Sequence, residues 1–172
     1  ITYLAKSNKN TVCNLTNHAY FNLNGEGNGD ILGHIFTLNA SEYLPTDATQ
    51  IPLGESAPVA GTPMDFTTFK EIGKEIDNYD FVQLKNGDGY DHNWVLDKQT
   101  DGVEFAASVY EANSGRFMSV YTDQPGMQFY SGNFFDGTTK GKYDKELRYR
   151  ESIALETQKF PDTPNHSNFP ST

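Results

Sequence analysis

Cysteine occurs once in the 172 residues, at Cys13. A single thiol excludes an internal disulfide framework and a cysteine-based zinc site. In the apolar-flanked TVCNL, its expected place is that of a small buried hydrophobe. Cations are also scarce: 13 Lys and Arg stand against 23 Asp and Glu, a formal net charge of −10. Phosphate contacts need clustered Lys and Arg, so no nucleic-acid partner is expected. The densest basic group, KGKYDKELRYR at 140–150, is diluted by its own acids. No apolar run is long enough to span a membrane, and no membrane partner is expected. The N-terminal ITYLAKSNKNT lacks signal-peptide architecture. It opens without methionine, as though already inside a strand, and NFPST stops equally abruptly. The expectation is a fragment or processed chain, truncated at both ends.

Long helical periodicity is missing too. What the chain has is aromatic side chains, 12 Phe and 10 Tyr among them, which favour strands. Strand-like runs recur from end to end: TVCNLT, HIFTLNA, HNWVLD, VEFAASVYE, RFMSVYT, GMQFYSGNFF and ESIALET. Breakers such as NGEGNGD, KNGDGYD, EANSG and TDQPG separate them. EANSG between VEFAASVY and RFMSVYT signals a hairpin, with Gly115 suited to the left-handed position. The best helix candidate is TFKEIGKEI, residues 68–76, about two turns long. YLPTDATQIPLGESAPVAGTPMDF carries Pro45, Pro52, Pro58 and Pro63, too many for an interior strand or helix. Aromatics and aliphatics continue through it, so it reads as an ordered surface excursion. The pattern is all-β and sandwich-like, with one domain over residues 1–172.

Three short segments could carry chemistry. NLTNHAYFNLNG, residues 14–25, reads as one strand. Period two puts Leu15, Asn17, Ala19, Phe21 and Leu23 on one face, and Asn14, Thr16, His18, Tyr20 and Asn22 on the other. The second face suits a wet concave surface. Taken alone, His18 is more simply a histidine locked between asparagines than a proton-transfer group. GDGYDHNWVL, residues 87–96, brings a tight turn into a strand that opens with Asp91 and His92. Adjacent strand residues face opposite ways, so the two do not serve one site. Alone, Asp91 reads first as a turn-capping aspartate, and the pair is too sparse for a metal site. In SIALETQKFPDTPN, residues 152–165, Glu156 sits mid-strand beside small or polar neighbours, either as a solvated glutamate or as one placed for proton transfer. The sequons at Asn14, Asn39 and Asn165 decide nothing.

Six blocks in order resemble the aldose 1-epimerase (galactose mutarotase) family: NLTNHAYFNLNG, ILGHIFTLNASEYLPTDATQIPLGE, PVAGTPMDF, GYDHNWVL, QPGMQFYSGNFFDGT with KGK, and LETQKFPDTPNHSNFPS. Together they run over essentially the whole chain. The resemblance implies a large, mostly antiparallel β-sandwich with an open concave sugar site. It implies His18 as general acid toward the ring oxygen and Glu156 as general base on the anomeric hydroxyl. Asp91 and Gln128 would hold the sugar, with Asn17 and Tyr20 as further candidate contacts. The family also uses an Asn-Arg pair and another histidine from an earlier segment, for which this chain has no counterpart. That absent N-terminal segment is the one macromolecular partner the resemblance suggests. A cytoplasmic protein is the expectation, with the periplasm or secretion left open.

Interconverting α and β anomers of a free hexose explains the need for an acid and a base. The base takes the O1 proton, the C1–O5 bond opens to the aldehyde, and the acid protonates O5. Rotation about C1–C2 and closure with the roles reversed complete the exchange, and each group contributes about 10²–10⁴-fold. No metal or organic cofactor is called for. Tyr20, Phe129 and Tyr130 are candidates to pack on the sugar's C–H face. Two rivals stand beside this reading. A glycoside hydrolase would use Asp91 and Glu156 as its carboxylate pair but leaves His18 without a role. A non-catalytic carbohydrate-binding module would need no acid/base pair at all.

Overall fold

Alternating apolar and polar side chains give strands one face for a core, and the computed structural model, which describes residues 1–172, stacks two such sheets. In chain order the strands are β1 (Ile35–Leu38), β2 (Glu42–Tyr43), β3 (Ala57–Pro58), β4 (Lys70–Glu71), β5 (Asp91–Val95), β6 (Glu104–Tyr110), β7 (Phe117–Thr122), β8 (Gly126–Tyr130), β9 (Asp136–Lys140), β10 (Glu146–Arg148) and β11 (Ala154–Gln158). One sheet runs β4-β1-β6-β7, a second β11-β8-β5-β2-β3, and β9 with β10 forms a separate ribbon. Every strand pairing is antiparallel.

The main core lies between the two larger sheets. Phe36, Leu38, Ala107 and Val109 enter it from the first sheet, and Trp94, Met127, Phe129 and Leu155 from the second. The Phe36 and Phe129 rings meet across the gap at 4.6 Å between centroids. Burying side chains of this size stabilises the fold by roughly 1.5–3 kcal/mol each. The resulting antiparallel sandwich agrees with the all-β expectation. The hairpin at EANSG also forms, joining β6 to β7 with Gly115 at φ 68°. The proline-rich excursion is ordered. It contributes β2, β3 and the buried Leu44, Val59, Met64 and Phe66, and Pro58 is tolerated because β3 is an edge strand.

Three local expectations fail. TFKEIGKEI forms no α-helix: Lys70–Glu71 pair with β1, and only Ile72–Lys74 turn, as a short 3₁₀ segment. Backbone pairing with a sheet edge, together with the buried Ile72 and Ile76, overrides the weak helical period. The one α-helix, α1 (Val82–Gly87), is capped by the left-handed Asp88. Cys13 is exposed, not buried. It lies in the stretch before Asn14 that runs outside both sheets, so its apolar neighbours reach no core.

NLTNHAYFNLNG is not a ladder strand either. It runs antiparallel along β11, but side chains make most of the bonds that a strand's backbone would make. Asn14 exchanges two bonds with Lys159, Nδ2 donating to its carbonyl at 3.0 Å and Oδ1 accepting from its N–H at 3.0 Å. Thr16 Oγ1 donates to Thr157 O, and Asn22 Nδ2 to Glu151 O. Only Phe21 bridges backbone to backbone, with Ile153. Short Asn and Thr side chains compete in this way with a regular ladder. Beyond it, Leu23 is fixed by its N–H to His34 Nε2 at 3.0 Å, and its carbonyl accepts from Arg116. The register still brings His18 over the middle of β11.

Candidate active site

The pairing of β5, β8 and β11 builds one polar face. Asp91 lies opposite Tyr130, which lies opposite Ala154; two residues along, Asn93, Gln128 and Glu156 form the next row. Directly paired residues share a face, so these side chains leave the sheet on the side away from the core. The alternate residues His92, Trp94, Met127, Phe129 and Leu155 point inward. Gln128 Nε2 donates to Asp91 Oδ1 at 2.8 Å, which ties two of the expected site residues together. The carbonyl oxygen of Gln128 is buried without a protein partner, an acceptor free for a donor above the sheet.

His18 comes to this face from the edge segment. Its Nε2 lies 3.2 Å from Glu156 Oε1, with 45% of the His18 side chain exposed and 11% of that of Glu156. The imidazole is therefore the solvent-reachable member of the pair and the carboxylate the sheltered one. Burial pushes the Glu156 carboxyl above its ordinary value; His18 pulls it back, and Asp91 adds to the rise. Asp91 is raised as well, first by burial, against the hydrogen bond from Gln128 and the nearby His18. Two carboxylates on a half-dry face thus hold their protons more tightly than carboxylates in water do.

Tyr20 and Tyr130 wall the same face. The Tyr20 ring lies 4.9 Å from His18 and 5.1 Å from Phe135, and Tyr130 stacks on Phe134 at 5.8 Å. Burial raises the Tyr20 hydroxyl, and Glu156 and Asp91 raise it further. Beyond His18 and Tyr20 opens a cavity of ≈ 360 Å³, bounded on its far side by Glu26, Lys142 and Arg148.

The structure brings His18, Tyr20, Asp91, Gln128 and Glu156 to this one face. Asn17 is not among them. Its Oδ1 accepts from Ala19 N at 3.1 Å, and the residue lines a separate groove with Phe21, Met118 and Leu155. That side-chain bond shapes the bend that presents His18. Phe129 is also corrected: it is fully buried in the core, because alternation sets it opposite to Gln128 and Tyr130. Asn93 and Gln158 extend the polar face, Gln158 Nε2 donating to Asn93 Oδ1 at 3.3 Å, and sequence reasoning missed both. The period-two signal was present, since Asn93 alternates with Asp91 and Gln158 with Glu156.

No group of three or more His, Cys, Asp or Glu side chains is arranged to hold a metal ion. No helix is long and apolar enough to cross a membrane.

Comparison with known proteins places this geometry in a family. The model of the aldose 1-epimerase family matches residues 1–172. Galactose mutarotase of Rattus norvegicus is 45% identical over 170 residues, 99% of this chain and 48% of that protein. Aldose 1-epimerase of Escherichia coli (strain K12) is 40% identical over 171 residues, again 99% and 48%. Among solved structures, an aldose epimerase homologue from C. elegans superposes with TM-score 0.75 at 28% identity, covering 93% of this chain and 46% of that one. Galactose 1-epimerase from Lactobacillus acidophilus NCFM gives TM-score 0.70 at 30% identity, covering 86% and 40%. The chain spans about half the length of the curated relatives it matches. With its full length matched and its sandwich shared, this chain belongs to the aldose 1-epimerase family.

Proposed function

We propose that this chain carries the acid–base pair of a site that interconverts the α and β anomers of a free hexose, glucose or galactose. The observation that carries the reading is the His18–Glu156 contact of 3.2 Å, set over the polar face that also carries Asn93, Gln128 and Asp91. Relatives named galactose mutarotase and aldose 1-epimerase support it.

In this reading the sugar's O5–C1–O1 edge displaces the direct His18–Glu156 contact, since 3.2 Å leaves no room for an atom between them, and presents O5 to the imidazole and O1 to the carboxylate. Glu156 accepts the O1 proton as the C1–O5 electrons pass to the ring oxygen, and His18 delivers a proton to O5. After rotation about C1–C2 the open aldehyde recloses on its other face. Glu156 then returns a proton to O1 while His18 takes one from O5, so both groups end as they began. The raised Glu156 carboxyl is a stronger base than an ordinary carboxylate, which favours its first step. Asp91 and Gln128 hold hydroxyls from below, the unpaired Gln128 oxygen accepting one.

Polarimetry on freshly dissolved α-galactose or α-glucose tests the proposal in the full chain. Faster decay of rotation is expected, and Glu156→Gln and His18→Ala should each lower kcat by about 10²–10⁴-fold. Retention of most activity in either variant would sink these roles. Release of reducing ends from a glycoside, with unchanged rotation decay, would favour a hydrolase built on Asp91 and Glu156.

A further inference from the structure

Asp91 is the first residue of β5, at the point where the chain leaves the turn Gly87–Tyr90. The height of its carboxylate on the sheet is therefore set as much by that turn as by the strand. Asp88 and Gly89 take φ values of 51° and 132°, in the left-handed half of backbone space, and the turn's carbonyls need donors of their own.

Two side chains just past the end of β8 supply them. Asn133 Nδ2 donates to Gly87 O at 2.8 Å and to Tyr90 O at 3.0 Å. Ser131 Oγ donates to Asn133 Oδ1 at 2.7 Å and accepts from Tyr90 N at 3.0 Å, while Ser131 N donates to Tyr90 O. Both side chains are buried, Ser131 at 0% and Asn133 at 4% exposure. The amide has one workable orientation, because a flipped Asn133 would set its oxygen against two carbonyl oxygens. A Cβ on Gly89 would lie 2.7 Å from Asn133 Oδ1, so the turn closes directly onto the amide. Tyr79 and Arg150 grip only the outer tip, through Asp88.

We propose that Asn133, with Ser131, is a positioning residue for Asp91, locking the turn to the end of β8 so that the carboxylate meets Gln128 at the height the site requires. The same strand carries Gln128, so the path from Asp91 through Gln128, β8, the Ser131–Asn133 pair and the turn closes on itself. The inference rests on the reading of this face as a sugar site.

A double-mutant cycle in the full chain tests it. Asn133→Ala should lower kcat/KM for anomer exchange by about 10–100-fold, the scale of a small misplacement of a binding group. In an Asp91→Asn background the same change should have almost no further effect. An equal loss in both backgrounds would mean a merely structural role and overturn the proposal. Should Asn133→Ala fail to fold, Ser131→Ala is read in the same cycle. A second measurement does not depend on activity: carboxyl NMR titration of Asp91. Released from its half-buried position by Asn133→Ala, Asp91 should titrate closer to an ordinary aspartate. An unmoved Asp91 titration refutes the clamp. A wild-type chain without anomer exchange refutes the functional reading instead, and the titration then decides the clamp by itself.

Discussion

His92→Phe is expected to remove most of one identifiable slope from the acid side of the stability curve. His92 is 1% exposed, its ring edge-on to Tyr43 and Trp94 at 6.2 and 6.3 Å. Its Nδ1 accepts from Asp91 N, and its Nε2 is buried with no partner. Burial pushes its pKa from 6.5 down to about 4. The unfolded chain therefore takes up a proton near pH 6.5 that the native state refuses until about pH 4. Stability is intact above the unfolded value and falls as pH drops between the two. At about 1.36 kcal/mol per pH unit, the full effect is on the order of 3 kcal/mol, of which about 2 kcal/mol has gone by pH 5. Phenylalanine keeps a ring in the same slot and does not titrate. Urea denaturation of both proteins at pH 7.5, 6 and 5 provides the measurement, since carboxylates common to the two cancel in the difference. The gap between variant and wild type should move by about 2 kcal/mol in favour of Phe from pH 7.5 to 5. Parallel curves across that range would refute the reasoning, and with it the claim that His92 is held neutral.

Two further pH effects follow from the same physics. On the proposed roles, the raised Glu156 carboxyl puts the acid limb of kcat/KM above the ordinary glutamate value of 4.5, because a base is lost when pH falls below its native pKa; a limb below 4.5 would contradict the assignment. At the β6–β7 turn, Glu111 accepts from Asn113 N and Ser114 N, and its pKa is held down to about 2. Its contribution is present above the unfolded value of 4.5 and lost as pH falls through about 2. Glu111→Gln should therefore be less stable than wild type at pH 7, with the deficit shrinking through that window in urea titrations.

The sequence was most legible where period two was cleanest. HIFTLNA, VEFAASVY, RFMSVYT, GMQFY and ALETQ all became strands, because each offers one apolar face to a shared core. Alternation also separated Asp91 from His92 correctly, sending one to the polar face and the other inward. Applied as strictly, it would have moved Phe129 to the core and added Asn93 and Gln158 to the site. It could not reveal that NLTNHAYFNLNG avoids a ladder, since Asn14 and Thr16 find their partners at Lys159 and Thr157, more than 140 residues away.

What the sequence by itself determined is the class of fold, the chemical types that converge on the site and the family blocks that hold them. Composition and local period are properties of neighbouring residues, and they survive without tertiary contacts. Which carboxylate lies next to which imidazole is not such a property. The 3.2 Å approach of His18 to Glu156, the row Asn93–Gln128–Glu156 and the clamp of Asn133 on the turn before Asp91 each join segments far apart in the chain. Strand register in the folded sheet fixes the row, because a slip of one residue would turn its side chains to the opposite face, while side-chain bonds between distant segments fix the approach of His18 and the hold of Asn133.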